Sequence, residues 1–333
     1  MLTDKNVIDA LADVLVPGIQ RNLADMNLLQ GIALAGNNLN ISVASTALDD
    51  NARNWIREKC TGVVRDLDGS LQTEVTFIDK RPIEINRVSN VIAVMSGKGG
   101  VGKSLVTALT AMLLKSRGFN VGILDADITG PSIPRMFGIK TRPRGSENGI
   151  LPVPSTGGIE IISINLFLPE EEDAVIWRGP LIGRAITQFW EDVLWGKLDF
   201  LVVDLPPGTA DAPLTALQVL PVNGIIIVFT PQELTTMIVK KAVRMAGQMD
   251  KKVLGVVENM SYLYVPELKK NMEIFGKSRG DEMAKAAGAP LLGKIPIDPK
   301  LAALCDDGHI ERYSSDVLKS LGDRLLKVLP GSA

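Results

Sequence analysis

Short, unbroken apolar runs alternate with longer stretches of helical spacing over the last three quarters of the chain. The runs fall at residues 91–94, 121–125, 159–164, 200–204, 225–229, 253–257 and 291–295. Each has strand length, and each is apolar at most consecutive positions rather than at every second one. Continuous apolar strands separated by helices predict a mostly parallel sheet covered on both faces. Crossovers in such a sheet are right-handed, and ligands sit beyond the strands' C-terminal ends.

The first 80 residues read differently. Helical spacing over 6–16 precedes two short strands, 31–35 and 39–44, around the turn Gly36-Asn37-Asn38. A helix at 51–60 and a strand at 71–78 follow. This order predicts a small α+β domain over 1–80. Asp79-Lys80-Arg81-Pro82 leads into an expected linker at 81–89, and an α/β domain is expected over 90–333. No internal repeat is visible.

Between the apolar run at 91–94 and a helical stretch at 105–117 stands Met95-Ser96-Gly97-Lys98-Gly99-Gly100-Val101-Gly102-Lys103-Ser104. Strand, glycine-rich loop and helix are the context that a GxxxxGK[ST] phosphate loop requires. Gly97, Gly99, Gly100, Val101 and Gly102 would turn backbone N–H groups onto phosphate oxygens, helped by the positive end of the helix. Lys103 would reach the β- and γ-phosphates of ATP, and the Ser104 hydroxyl would ligate Mg²⁺.

Two further strands end in carboxylates. Asp125-Ala126-Asp127 is followed by Gly130-Pro131-Ser132, and Asp204 by Pro206-Pro207-Gly208-Thr209. A carboxylate at such a strand end is placed for a hydrated Mg²⁺ or an attacking water.

Composition narrows the classes. With 333 residues, 46% of them apolar, the chain can bury a large core. A net charge of −2 argues against a protein built to coat nucleic acid. Cys60 and Cys305 make no disulfide framework. With no signal-peptide pattern and no apolar run of membrane-spanning length, a cytoplasmic place is expected.

The second lysine, Lys98, gives the loop the form KGGxGK[ST]. It resembles the deviant Walker A of the MinD/ParA/nitrogenase-iron-protein superfamily. That resemblance implies a homodimer in which Lys98 contacts phosphate across a nucleotide sandwich. The resemblance then narrows. Asp125-Ala-Asp-Ile-Thr-Gly-Pro-Ser-Ile-Pro-Arg135, Trp177-Arg-Gly-Pro180, Leu198-Asp-Phe-Leu-Val-Val-Asp-Leu-Pro-Pro-Gly-Thr209 and Val257-Glu-Asn-Met-Ser261 resemble the Mrp family. Members of that family are P-loop ATPases described as iron–sulfur cluster carriers. The match runs from about residue 91 to about 310. The front segment resembles the metal–sulfur cluster assembly domain often fused ahead of them.

The resemblance implies roles by residue. Lys98 is the lysine acting in trans. Asp127 polarises the hydrolytic water. Asp204 stands behind Mg²⁺, and Asn259 reads the adenine edge. An apoprotein client or cluster-assembly partner is also implied.

Departures limit it. Where the family carries Cys-Pro-x-Cys, this chain reads Val265-Pro266-Glu267-Leu268. Cluster iron wants thiolates, so no iron–sulfur ligand is identified and a bound cluster stays an open question. In the front domain, Val16-Pro17-Gly18 replaces Asp-Pro-Glu, and Ala44-Ser45-Thr46-Ala47-Leu48 stands where relatives have a reactive cysteine. The alternative is a cluster-free dimeric ATPase switch or scaffold of MinD/ParA type, acting on a membrane or nucleic-acid partner. For a membrane, Val317, Leu318, Leu321, Leu325 and Val328 form one helical face; docking on the protein's own core is the competing reading. For nucleic acid, the small clusters Arg142-Pro143-Arg144, Lys240-Lys241, Lys251-Lys252 and Lys269-Lys270 give no strong signal. His309, the acidic run Glu170-Glu171-Glu172-Asp173 and the tryptophans Trp177, Trp190 and Trp195 read as surface or packing features.

Overall fold

The computed structural model describes residues 4–128, 130–167, 179–209, 211–232 and 235–329. Thr129, Trp177, Arg178 and the acidic run 170–173 lie outside the described residues.

The chain opens with α1 (Asp4–Ala12), β1 (Leu29–Ala35) and β2 (Asn38–Ala44). The strands pair antiparallel about Gly36, whose φ of 62° suits a tight turn. Helix α2 (Asp50–Leu67) is capped by Asp49, whose carboxylate accepts from Ala52 N at 2.7 Å. It outruns the expected 51–60 because the buried stripe Ala52, Ile56, Cys60 continues to Val64. β3 (Gln72–Ile78) then lies parallel to β2, giving the order β1-β2-β3. The stretch expected as a linker holds α3 (Pro82–Ile85), with proline in its first turn, and the start of β4 (Arg87–Ser96).

After β4 come α4 (Lys103–Ser116), β5 (Val121–Asp125) and α5 (Ile133–Met136). Three two-residue strands follow: β6 (Gly145–Ser146), β7 (Gly149–Ile150) and β8 (Val153–Pro154). The later elements are β9 (Glu160–Ser163), α6 (Gly179–Glu191), β10 (Lys197–Asp204), α7 (Asp211–Val219), β11 (Gly224–Phe229) and α8 (Thr235–Gln248). Then come β12 (Val253–Glu258), β13 (Leu263–Val265), β14 (Lys270–Met272), α9 (Gly280–Ala287), β15 (Leu291–Lys294), α10 (Pro299–Asp306) and α11 (Asp316–Leu326).

Two compact units result. The first comprises Met1–Ser89, Arg142–Pro154 and Gln188–Leu198. Its core joins Leu11, Leu28, Ile41, Leu48 and Ile56 with Leu151 and Leu194 from the later segments. Arg21 helps hold those segments: its guanidinium donates to the carbonyls of Trp195 at 3.1 Å and Lys197 at 2.6 Å.

The second unit comprises Asn90–Thr141, Ser155–Thr187 and Asp199–Ala333. Its strands lie in the order β15-β12-β11-β4-β10-β5-β9. The pairs β4–β11, β11–β12, β12–β15, β5–β10 and β5–β9 are parallel, as the unbroken apolar runs predict. β4 is central, so the loop after it opens at the middle of the C-terminal edge. Helix α4 buries ten of its fourteen residues. Helix α11 buries Leu321 and Leu325, and its Gly322 approaches Leu113 of α4 closely enough that a Cβ would lie 2.8 Å from it. Of the apolar face considered for a membrane, Leu321 and Leu325 are thus spent on the protein's own core, and Val317, Leu318 and Val328 are half-buried. Among the described residues, no helix is long and apolar enough to cross a membrane.

Candidate nucleotide site

Parallel register brings the functional strand ends together. Asp204 stands opposite Asp125, Asp125 opposite Ser163, and Val228 opposite Ser96. The chain after β10 is stitched to β4: Leu205 N donates to Val94 O at 3.1 Å and Gly208 N to Ser96 O at 2.9 Å. Ala126 N donates to Asp204 O at 2.9 Å. These bonds fix the carboxylate loops against the phosphate loop.

The loop requires its glycines. Gly102 caps α4 with φ of 79°, and a Cβ there would meet Asn259 Nδ2 at 2.1 Å. A Cβ on Gly97 would meet Ile238 Cγ2 of α8 at 1.9 Å. Asn259, expected at the adenine edge, is 1% exposed, and its amide donates to Val101 O at 2.9 Å. It braces the loop from the end of β12.

The polar centre is one ammonium among carboxylates. Lys103 Nζ lies 2.7 Å from Asp204 Oδ1 and 3.4 Å from Asp127 Oδ2. Ser104 Oγ donates to Asp204 Oδ2 at 2.5 Å. Thr107, one helical turn beyond Lys103, donates to Asp204 Oδ1 at 2.7 Å. Asp125 lies behind this group, fully buried. It accepts from Ser163 Oγ at 3.0 Å and Asp127 N at 3.2 Å. Burial and the neighbouring Asp204 carboxylate push Asp125 well above the usual carboxylate range, while Lys103 and Ser163 pull the other way. Lys98 points elsewhere: its ammonium is hydrogen-bonded to Gln232 Oε1, just after β11.

Lys103, Ser104, Asp127 and Asp204 are therefore gathered at one edge of the sheet, while Lys98, on the same loop, is turned to Gln232. Thr107, Ser163 and Gln232 are additions. Thr107 carried a readable signal, four residues from Lys103 on the same helix face. Gln232 and Ser163 lie far away in sequence and meet the site only through strand order.

The residues fit a divalent cation. Two carboxylates, Asp127 and Asp204, face a single ammonium, leaving surplus negative charge, and hydroxyl and carboxylate oxygens are the ligands Mg²⁺ takes. Cluster iron is not provided for in the same way. Among the described residues, no three His, Cys, Asp or Glu side chains group to hold a metal. The stretch 265–268 closes the β13–β14 hairpin, and both cysteines lie elsewhere, Cys60 in α2 and Cys305 in α10.

Residues 87–326 match the family described as NUBPL iron-transfer P-loop NTPase, and residues 4–77 match the one described as iron-sulfur cluster assembly protein. The iron-sulfur cluster carrier protein of Clostridium perfringens is 42% identical over 268 residues, covering 78% of this chain and 93% of its own. That of Synechocystis sp. is 37% identical over 324 residues, covering 92% and 91%. Among solved structures, the nucleotide-binding protein in complex with ADP from Archaeoglobus fulgidus is 45% identical, with a TM-score of 0.63 over 70% of this chain and 91% of its own. The cell division ATPase MinD of Pyrococcus furiosus shares the fold, with a TM-score of 0.53 at 20% identity over 72% of this chain and 100% of its own. This chain, with the phosphate loop, carboxylates and sheet order just described, belongs to the family of NUBPL iron-transfer P-loop NTPases.

Proposed function

We propose that this protein hydrolyses ATP and that the hydrolysis serves iron–sulfur cluster assembly or transfer to apoproteins. The observation that carries the ATPase reading is the cluster of Lys103, Ser104, Asp127 and Asp204 at the N-terminus of α4. The family supports the cargo.

The loop N–H groups and Lys103 bind the β- and γ-phosphates. To do so Lys103 exchanges its Asp204 partner for phosphate oxygens. Ser104 and Asp204 are the residues that would hold Mg²⁺, which would neutralise charge on the phosphates when bound. Asp127 accepts a hydrogen bond from the attacking water and aligns it with the γ-phosphorus; as the new P–O bond forms, the bond to the leaving ADP oxygen breaks. Lys98, delivered by the partner subunit of a homodimer, stabilises the charge developing there. Turnover is slow because it waits on dimerisation. Cluster thiolates come from the client or an assembly partner, since the 265–268 turn has none. The place of work is the cytoplasm.

The test is Mg-ATP turnover in the intact chain. Lys103→Ala should abolish it, by at least about 10²-fold. Lys98→Ala should keep monomer nucleotide binding and lose the dimer-dependent turnover. Full activity in Lys103→Ala would remove the site assignment; full activity in Lys98→Ala would remove only the sandwich. In cells lacking the protein, cluster-dependent enzymes should regain activity with the wild-type chain and not with Lys103→Ala.

A further inference from the structure

Thr107 sits in the buried run of α4 between Val106 and Ala108, with none of its own surface exposed. An apolar side chain of similar shape would fill such a place, and a hydroxyl taken out of water costs free energy unless it is hydrogen-bonded. Inside a helix the ordinary partner is the carbonyl four residues back. Lys103 O is that carbonyl, 3.2 Å from Thr107 Oγ1. Asp204 Oδ1 is nearer, at 2.7 Å, and it carries charge. A hydroxyl has one proton to give, and the shorter, charge-assisted bond takes it. Thr107 therefore spends its hydroxyl on the carboxylate rather than on its own helix.

The other partners of Asp204 give that bond its meaning. The Asp204 side chain is 0% exposed, so its oxygens depend on protein donors. Lys103 Nζ and Thr107 Oγ1 both reach Oδ1, each at 2.7 Å, and Ser104 Oγ reaches Oδ2 at 2.5 Å. These donors have different fates in the cycle proposed above. Lys103 leaves Oδ1 for the phosphates, and Ser104 offers its oxygen to Mg²⁺ while its proton can stay on Oδ2. Thr107 has no second task. Once Lys103 has gone, it is the donor left on Oδ1. The last torsion of an aspartate is soft, so one donor alone lets the carboxylate turn. A donor on each oxygen fixes its plane.

We infer that Thr107 is a positioning residue for the cation: it holds Asp204 in the orientation that receives Mg²⁺ after Lys103 has moved to the nucleotide. The inference rests on the reading above in which Asp204 helps hold the ion. Its effect falls on the ion and not on the nucleotide, because Lys103 and the loop N–H groups meet the phosphates without help from Thr107.

The experiment uses the full chain with ADP bound and titrates it with Mn²⁺ in place of Mg²⁺, reading the free ion by electron paramagnetic resonance. Thr107→Val removes the hydroxyl and keeps the shape. It should weaken Mn²⁺ binding about tenfold, the scale of one hydrogen bond to a charged group. Thr107→Ser keeps the hydroxyl and should restore binding to within about twofold of wild type. ADP binding in EDTA should be the same in all three chains. In turnover, Thr107→Val should need about tenfold more Mg²⁺ for its half-maximal rate, and excess Mg²⁺ should recover most of the loss. Asp204→Asn is the reference and should weaken Mn²⁺ at least as much.

If Asp204→Asn binds Mn²⁺ like wild type, the placement of Asp204 at the ion is wrong. If Asp204→Asn loses the ion and Thr107→Val does not, the role given to Thr107 is overturned and the site stands. A Thr107→Val chain that loses ADP binding in EDTA, with turnover that excess Mg²⁺ does not restore, shows a hydroxyl needed only for the packing of α4, which also overturns it. Thr107→Ala, which fits the same space, is read in the same way if the valine chain does not fold.

Discussion

Cys60 sits between Ile56 and Val64 on the buried stripe of α2, where a small apolar side chain is what the packing asks for. Burial pushes its thiol up to about 12; burial together with Asp306 pushes the half-buried Cys305 up to about 11. A raised thiol pKa means less thiolate at any pH below it, and thiolate is both the nucleophile and the metal ligand. Alkylation of Cys305 by iodoacetamide should therefore rise about tenfold per pH unit from pH 7 to 9 without a plateau. Cys60 should react only on unfolding. A plateau near pH 8 for either residue would show a thiolate that the burial of these groups forbids.

At the scale of elements, the phosphate loop is held by parts that never touch each other in sequence. Asn259, at the end of β12, gives its amide to Val101 O; Ile238 of α8 closes over Gly97; Gln232 takes Lys98. The loop, the Asp127 and Asp204 motifs and the parallel sheet were legible because each is written in a few consecutive residues. The braces were not, because they depend on β11 lying beside β4 and β12 beside β11, an order that local pattern does not specify. The α2 boundary was misjudged for a milder reason: its polar face at Arg57–Lys59 hid a stripe that runs on to Val64. Asn259 separates two roles by experiment. Asn259→Ala leaves a buried carbonyl unpaired, at a cost of about 1–3 kcal/mol. As a brace, it should weaken ATP and GTP binding by the same factor. As a reader of the adenine edge, it would weaken ATP alone and erase the preference between them. We expect equal losses, measured as dissociation constants for the two nucleotides.

Neither thiol of the molecule is among the residues of its nucleotide site. Asp127, Asp204 and the loop belong to one compact unit, while Cys60 is in the core of the other and Cys305 is a single thiol on α10. One chain thus offers no pair of thiolates at one place, and the hairpin at 263–272 presents Leu268 and Glu267. ATP hydrolysis and cluster ligation are therefore expected to be divisible in this chain. After anaerobic reconstitution with iron and sulfide, the purified chain should hold well below one iron per chain, and Cys305→Ser should not change that value. It should nevertheless retain Mg-ATP turnover, because none of the residues at the phosphate loop depends on either cysteine. Iron and acid-labile sulfide at two or more per dimer, with the absorption lost in Cys305→Ser, would overturn this division. That result would require the Cys305 thiols of two copies to meet. Without it, the cycle proposed above would act on a cluster whose thiolates another protein supplies.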